Sequence, residues 1–100
     1  MDIRWKTDVE VALEEARLLE RTVLIDYFNP GCSGCRMMGT MTYPSEEVSS
    51  LVNEHFVPLR LDTSQRRDMM RRYNVFWTPT VMLVDKNGTA RYRITGYLPP

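Results

Sequence analysis

Cys32 and Cys35 are the only cysteines in the chain, and they stand three residues apart. Placed at the start of a helix, side chains at that spacing share one face, with Cβ atoms roughly 5–6 Å apart. A disulfide needs Cβ atoms nearer ~4 Å, and a modest adjustment in the first turn supplies that. Such a pair opens and closes without large backbone motion. The first cysteine gains most from the helix start, because unpaired backbone N–H groups and the helix dipole favour an anion there. Its thiol pKa should fall, leaving more thiolate at neutral pH. Cys32 is therefore the candidate nucleophile. It attacks a disulfide to give a mixed disulfide, and Cys35 attacks that bond to release the partner. Ser33 and Gly34 lie between the two and should tune the redox poise. Structural uses of the pair are weak. Two cysteines alone cannot complete a tetrahedral zinc site, and a disulfide closing so short a loop constrains the unfolded chain little.

The elements that must hold this pair can be read on either side of it. Thr7-Asp8-Val9-Glu10 has the form of a capping box with Thr7 as N-cap. Val9, Ala12, Leu13, Ala16 and Leu19 then recur at helical spacing, which predicts a helix from about Asp8 to Glu20. Thr22 to Phe28 is apolar on both sides of the pleat apart from Asp26, the pattern of a central strand covered on both faces. Asn29-Pro30-Gly31 stops it. A helix follows, carrying Cys35, Met37, Met38 and Met41, and Pro44 breaks or kinks it near Tyr43.

Ser45 caps a further run in which Val48, Leu51, Val52 and His55 repeat helically. Phe56 to Leu61 reads as a strand, and about Ser64 to Tyr73 as a third helix with Met69, Met70 and Tyr73 inward. Thr80 to Val84 and Thr89 to Thr95 read as strands joined by the turn Asp85-Lys86-Asn87-Gly88. In the last strand Ala90, Tyr92 and Ile94 alternate with Arg91, Arg93 and Thr95, so one face looks wet, as at an edge. Strand–helix–strand units imply a parallel pair and the hairpin adds antiparallel strands. The prediction is an α/β fold with a mixed sheet of about four strands in a single domain, 1–100. The five methionines Met37, Met38, Met41, Met69 and Met70 read as core filling.

Composition narrows the function classes. Thirteen basic and thirteen acidic residues balance, so the chain as a whole shows no nucleic-acid bias. The first fifty residues carry 5 basic and 9 acidic groups and the last fifty 8 and 4. The positive excess sits mainly in Arg66, Arg67, Arg71 and Arg72. Its ordinary reading is a solvated helix face, and its sharper one is a surface for an acidic partner. No apolar run approaches the roughly 18 residues that span a bilayer, and residues 1–5 show no hydrophobic signal region. No phosphate-binding glycine loop, nucleotide fingerprint or paired catalytic carboxylates occur. His55, the one histidine, falls at a helix end and reads as structural or solvated.

Several stretches together resemble the thioredoxin-like family. Val23-Leu24-Ile25-Asp26-Tyr27-Phe28-Asn29-Pro30-Gly31-Cys32-Ser33-Gly34-Cys35 is similar to its active-site strand and loop. Phe76-Trp77-Thr78-Pro79-Thr80 is similar to its cis-proline loop, and Gly96-Tyr97 to the glycine after its last strand. Within the family, Asp62-Thr63-Ser64, residues 81–88 and residues 93–97 resemble the C-terminal domain of the bacterial disulfide reductase DsbD. The likeness covers about Trp5 to Tyr97.

The resemblance implies a thiol–disulfide oxidoreductase needing no metal or cofactor beyond a redox-active Cys32–Cys35 disulfide. Its partners would be protein thiols and disulfides and an upstream thiol donor, with neither nucleic acid nor membrane insertion involved. It implies that Asp26 is the buried acid beneath the second cysteine. An acid in an apolar strand has a raised pKa and can exchange a proton near neutrality. It implies that Pro79 is cis and that the backbone of Thr78 pairs with a partner's extended strand.

Departures from the family pattern matter too. Gly31 stands where thioredoxins commonly have tryptophan, and Gly34 replaces their central proline, which bears on potential and partner choice. Trp77 falls where many relatives have glycine and would supply an exposed aromatic contact or fill the core. Relatives continue into a helix that covers the sheet, whereas Leu98-Pro99-Pro100 read as a helix start cut short; an uncovered face would invite self-association. The likeness to DsbD points to the bacterial envelope, and the lack of an export signal leaves the cytoplasm open. The alternative to an enzyme is a binding or sensing module that keeps the fold while its cysteines hold metal or register oxidation.

Overall fold

The computed structural model describes residues 2–100. The elements run α1 (Val9–Leu19), β1 (Thr22–Phe28), α2 (Ser33–Met37), a π-helical turn (Met38–Thr42), α3 (Glu46–His55), β2 (Phe56–Asp62), α4 (Arg67–Arg72), β3 (Thr80–Val84) and β4 (Ala90–Thr95). The strands form one sheet in the order β2-β1-β3-β4. β1 lies parallel to β2 and antiparallel to β3, and β3 is antiparallel to β4. This is the predicted mixed sheet of four strands flanked by helices.

β1 is central because its residues suit burial on both faces. Val23, Ile25 and Tyr27 point to one side, into a core with Val9, Ala12 and Ala16 of α1 and Met69 of α4. Leu24 points to the other, with Met38, Tyr43 and Val52. Asp26 shares this second face, the side covered by α2 and α3. β2 tolerates Pro58 because that residue turns its backbone away from β1. Its carbonyl accepts the Lys6 N–H at 2.9 Å on the outer edge, and Arg60 N–H donates to Lys6 at 2.8 Å. The β3–β4 turn is held by Asp85, whose Oδ1 accepts the N–H groups of Asn87 and Thr89 at 2.9 and 3.0 Å. Gly88 there takes φ 85°, a left-handed value that suits glycine.

Several details differ from the sequence expectations. The cap of α1 is Asp8, not Thr7: Asp8 Oδ1 accepts the Val11 N–H at 3.1 Å. Aspartate and threonine are both good caps, and packing Val9, Ala12 and Ala16 inward sets the frame. α4 begins at Arg67, not near Ser64, because Ser64 N–H and hydroxyl both bond Asp62 and hold a turn. Met37 and Met41 are exposed, not core, while Met38 and Met69 are buried. The π-helical turn accounts for Met41: Tyr43 N–H reaches the Met38 carbonyl five residues back, at 2.8 Å, which rotates the following residues off the helical face.

β4 is exposed on both faces, including Tyr92, because an apolar hollow of about 290 Å3 stays open on its side of the sheet. Leu24, Leu51, Phe56, Leu83 and Ile94 line that hollow. Leu98 partly covers it, its N–H on Met38 Sδ at 3.3 Å and its carbonyl accepting the Thr42 hydroxyl. Among the described residues no helix is long and apolar enough to cross a membrane.

Candidate active site

The loop between β1 and α2 is wound so that Cys32 ends up as an N-cap. Asn29 Oδ1 accepts the Gly31 N–H at 2.9 Å, and the Asn29 carbonyl accepts the Cys32 N–H at the same distance. Cys32 itself is extended (φ −88°, ψ 117°), and its sulfur accepts the Cys35 N–H at 3.1 Å. The sulfur therefore takes the place of a capping oxygen and faces the unpaired N–H groups of α2. Cys35 is buried and Cys32 half-buried, and both are free thiols.

The two sulfurs are electrostatically unequal. Burial raises the Cys32 pKa, but the hydrogen bonds from Cys35, from Thr78 and from the backbone of Cys35 and Gly34 outweigh it, and the net shift is downward. Burial and the neighbouring Cys32 push Cys35 up to about 11. At pH 8 almost none of Cys35 is thiolate, so the anion resides on Cys32. Iodoacetamide at pH 8 should accordingly label Cys32 alone, with a pH midpoint below 9. Equal labelling of the two by mass spectrometry would contradict this ordering.

Asp26 is 2% exposed, in the middle of β1. Burial raises its pKa, against the opposing charge of Arg60. Arg60 is its direct neighbour in the parallel register of β1 and β2, and Arg60 Nε donates to Asp26 Oδ2 at 3.2 Å. The guanidinium also lies 4.0 Å above the Phe28 ring. Tyr43 meets the same carboxyl from the end of the π-helical turn. Burial, then the Asp26 charge, keep its hydroxyl protonated, and the Cys35 charge acts in the same direction. Asp26 Oδ1 and the Tyr43 hydroxyl are both buried without a hydrogen-bond partner of ordinary length. Tyr43 thus feels the charge of both the buried acid and the buried thiol, with Trp5 packed edge-on against its ring at 4.9 Å.

The second loop completes the site. The Thr78–Pro79 bond is cis. Thr78 favours the thiolate of both cysteines through its side chain. Thr78 also stands two residues ahead of β3, so its backbone lies outside the sheet ladder. A Cβ built on Gly34 would lie 3.0 Å from Pro79 Cδ, so the two loops touch where a side chain would push them apart. Gly31 has ordinary space around it. Trp77 is 73% exposed, a surface aromatic and not a core one, and Phe76 beside it is 74% exposed.

The structure therefore brings Cys32, Cys35, Ser33, Gly34, Thr78 and Pro79 together, with Asp26 beneath. Arg60, Tyr43 and Phe76 were not singled out from sequence. For Arg60 the signal was present: an arginine inside the apolar strand Phe56–Leu61 needs a partner, and Asp26 is the matching anomaly one strand away.

Comparisons with known proteins agree with this fold. Residues 9–100 match the family model described as thioredoxin-like domain. The thiol:disulfide interchange protein DsbD of Pseudomonas fluorescens is 25% identical over 94% of this chain, which spans only 17% of that protein. A thioredoxin from Thermus thermophilus superposes with a TM-score of 0.84 at 29% identity, over 99% of this chain and 79% of that one. The oxidised C-terminal domain of Neisseria meningitidis DsbD shares the fold, with a TM-score of 0.78 at 19% identity over 99% of this chain and 90% of that domain. The chain belongs to the thioredoxin-like domain family.

Proposed function

We propose that the chain reduces or exchanges disulfides in other proteins through Cys32 and Cys35. The observation that carries this reading is the Cys35 N–H held 3.1 Å from the Cys32 sulfur at a helix start, which favours one thiolate and seats its resolving partner beside it. The Cys32 thiolate attacks one sulfur of a substrate disulfide. A new S–S bond forms, the old one breaks, and the leaving thiolate takes a proton. Asp26 then accepts the Cys35 proton. The Cys35 thiolate attacks Cys32 Sγ, which expels the second substrate thiol and leaves a Cys32–Cys35 disulfide. Two electrons have passed to the substrate, and an upstream dithiol donor restores them. During attack the backbone of Thr78 holds the partner's extended segment, with Trp77 packing against it.

Insulin reduction with a supplied dithiol tests the proposal against a binding or sensing module of the same fold. Turnover supports exchange; a stoichiometric metal complex without turnover overturns it. The reduction potential of the pair then sets the direction of electron flow, a strongly reducing value marking a reductase.

A further inference from the structure

The four arginines around α4 do not play one part. Arg66 makes two hydrogen bonds to Asp68, both 3.0 Å. Arg72 stacks over Tyr73, 5.2 Å from the ring centre. Arg67 and Arg71 have no ion-pair partner among the described residues. They stand four apart on one helix face, where like charges repel. The acids nearest in sequence are engaged elsewhere, Asp62 by Ser64 and Asp68 by Arg66.

Both unpaired arginines line an open groove of about 430 Å3, with Met70 as its apolar floor. Asn29, which folds the Cys32 loop, also lines the groove. So does exposed Phe76, next to Trp77 and Thr78. A peptide lying against Cys32 and the backbone of Thr78 therefore passes the mouth of this groove.

Building on the proposed exchange activity, we infer that the groove selects substrates with an acidic residue close to the disulfide, Arg67 and Arg71 holding its carboxylate while Phe76 and Trp77 shelter the adjoining apolar segment. A carboxylate here relieves the repulsion between the two guanidiniums, and arginine accepts carboxylates in a forked geometry. A basic neighbour meets two like charges. Preference of this kind arises from attraction and repulsion together.

The test uses pre-reduced protein in single turnovers with disulfide peptides that are identical except for glutamate or lysine two residues either side of the first cysteine. Uncharged hydroxyethyl disulfide serves as the reference substrate. At low salt the glutamate peptide should react about tenfold faster than the lysine peptide, the scale of two exposed charge contacts. The ratio should fall towards one at 0.5 M salt and in the Arg67→Gln/Arg71→Gln double variant, and persist in Arg66→Gln. Because the ratio is read within each protein, a partly unfolded variant cannot imitate its loss. Equal rates for the two peptides while hydroxyethyl disulfide is reduced would overturn the groove's role and leave the exchange activity standing. A ratio that survives the double variant overturns it too. No reaction with hydroxyethyl disulfide removes the exchange activity itself, and the groove's role with it.

Discussion

Cys35→Ser should stop exchange half-way and leave the protein covalently joined to its substrate. The mixed disulfide between Cys32 and the partner then has no thiol three residues away to cleave it, and it accumulates to one partner per chain. Turnover should fall on the order of 10³-fold or more, as when a nucleophile is removed from a catalytic pair. Cys32→Ser should lose turnover to the same degree and trap nothing, because Cys35 is buried and protonated until about pH 11. Non-reducing electrophoresis and intact mass separate the two variants. Trapping by Cys32→Ser in place of Cys35→Ser would reverse the assigned roles.

Asp26→Leu should make the protein more stable and less active. The carboxyl is buried, its Oδ1 lacks a partner, and Arg60 reaches only the other oxygen. Removing a buried carboxyl oxygen that has no hydrogen-bond partner relieves a desolvation penalty of about 2 kcal/mol, and Arg60 is exposed enough to stay solvated on Phe28 without its partner. The pH dependence has a definite sign. Burial raises the folded-state pKa above the ordinary value of 3.8. Below that value both states are protonated and Asp26 carries no penalty. As pH rises, the unfolded chain loses its proton first, so the wild type weakens until the folded pKa is passed. The advantage of Asp26→Leu should thus be small near pH 4 and larger at pH 8, read by urea unfolding. A constant advantage across that range would show that the carboxyl stays ionised in the fold.

The kinetic effect of the same variant should fall on the second step. Loss of a general base slows proton transfer about 100-fold, so release of substrate from the mixed disulfide should slow while its formation does not. The deficit should shrink as pH approaches 11, where Cys35 ionises unaided. An unchanged release rate at pH 7 would remove Asp26 from the mechanism.

The sheet was legible because its strands are short apolar runs between strong turn residues. β1 and β3 fall where the apolar runs and the flanking Asn29-Pro30-Gly31 and Asp85–Gly88 turns put them. The dithiol was legible through residue type and spacing, while the roles of Asp26, Thr78 and Pro79 came from the resemblance to the thioredoxin-like family. The cap of α1 was not, since Thr7 and Asp8 are chemically near-equivalent caps and only tertiary packing chooses between them. Nor was the exposure of Met41, because a helical pattern assumes one residue every 100° and the π-helical turn breaks that count. Arg60 and Tyr43 reach Asp26 from a neighbouring strand and from the end of that turn, and pairing across elements leaves no local periodicity. Likewise the division of labour among Arg66, Arg67, Arg71 and Arg72 depends on which guanidinium finds Asp68 or Tyr73, a matter of rotamers and not of spacing.

The extra residue in the Met38–Thr42 turn decides the direction in which the later side chains point. Wound as an ordinary helix with all its residues kept, the segment would turn every later side chain by up to roughly 100° about the axis. Tyr43 would then leave the carboxyl of Asp26, and Thr42 would release the Leu98 carbonyl. The irregularity acts as a phase correction. It lets one continuous spiral present Cys35 to the surface loop at its head and a phenol to the buried acid at its tail, two directions that an unbroken helix of the same length could not serve together.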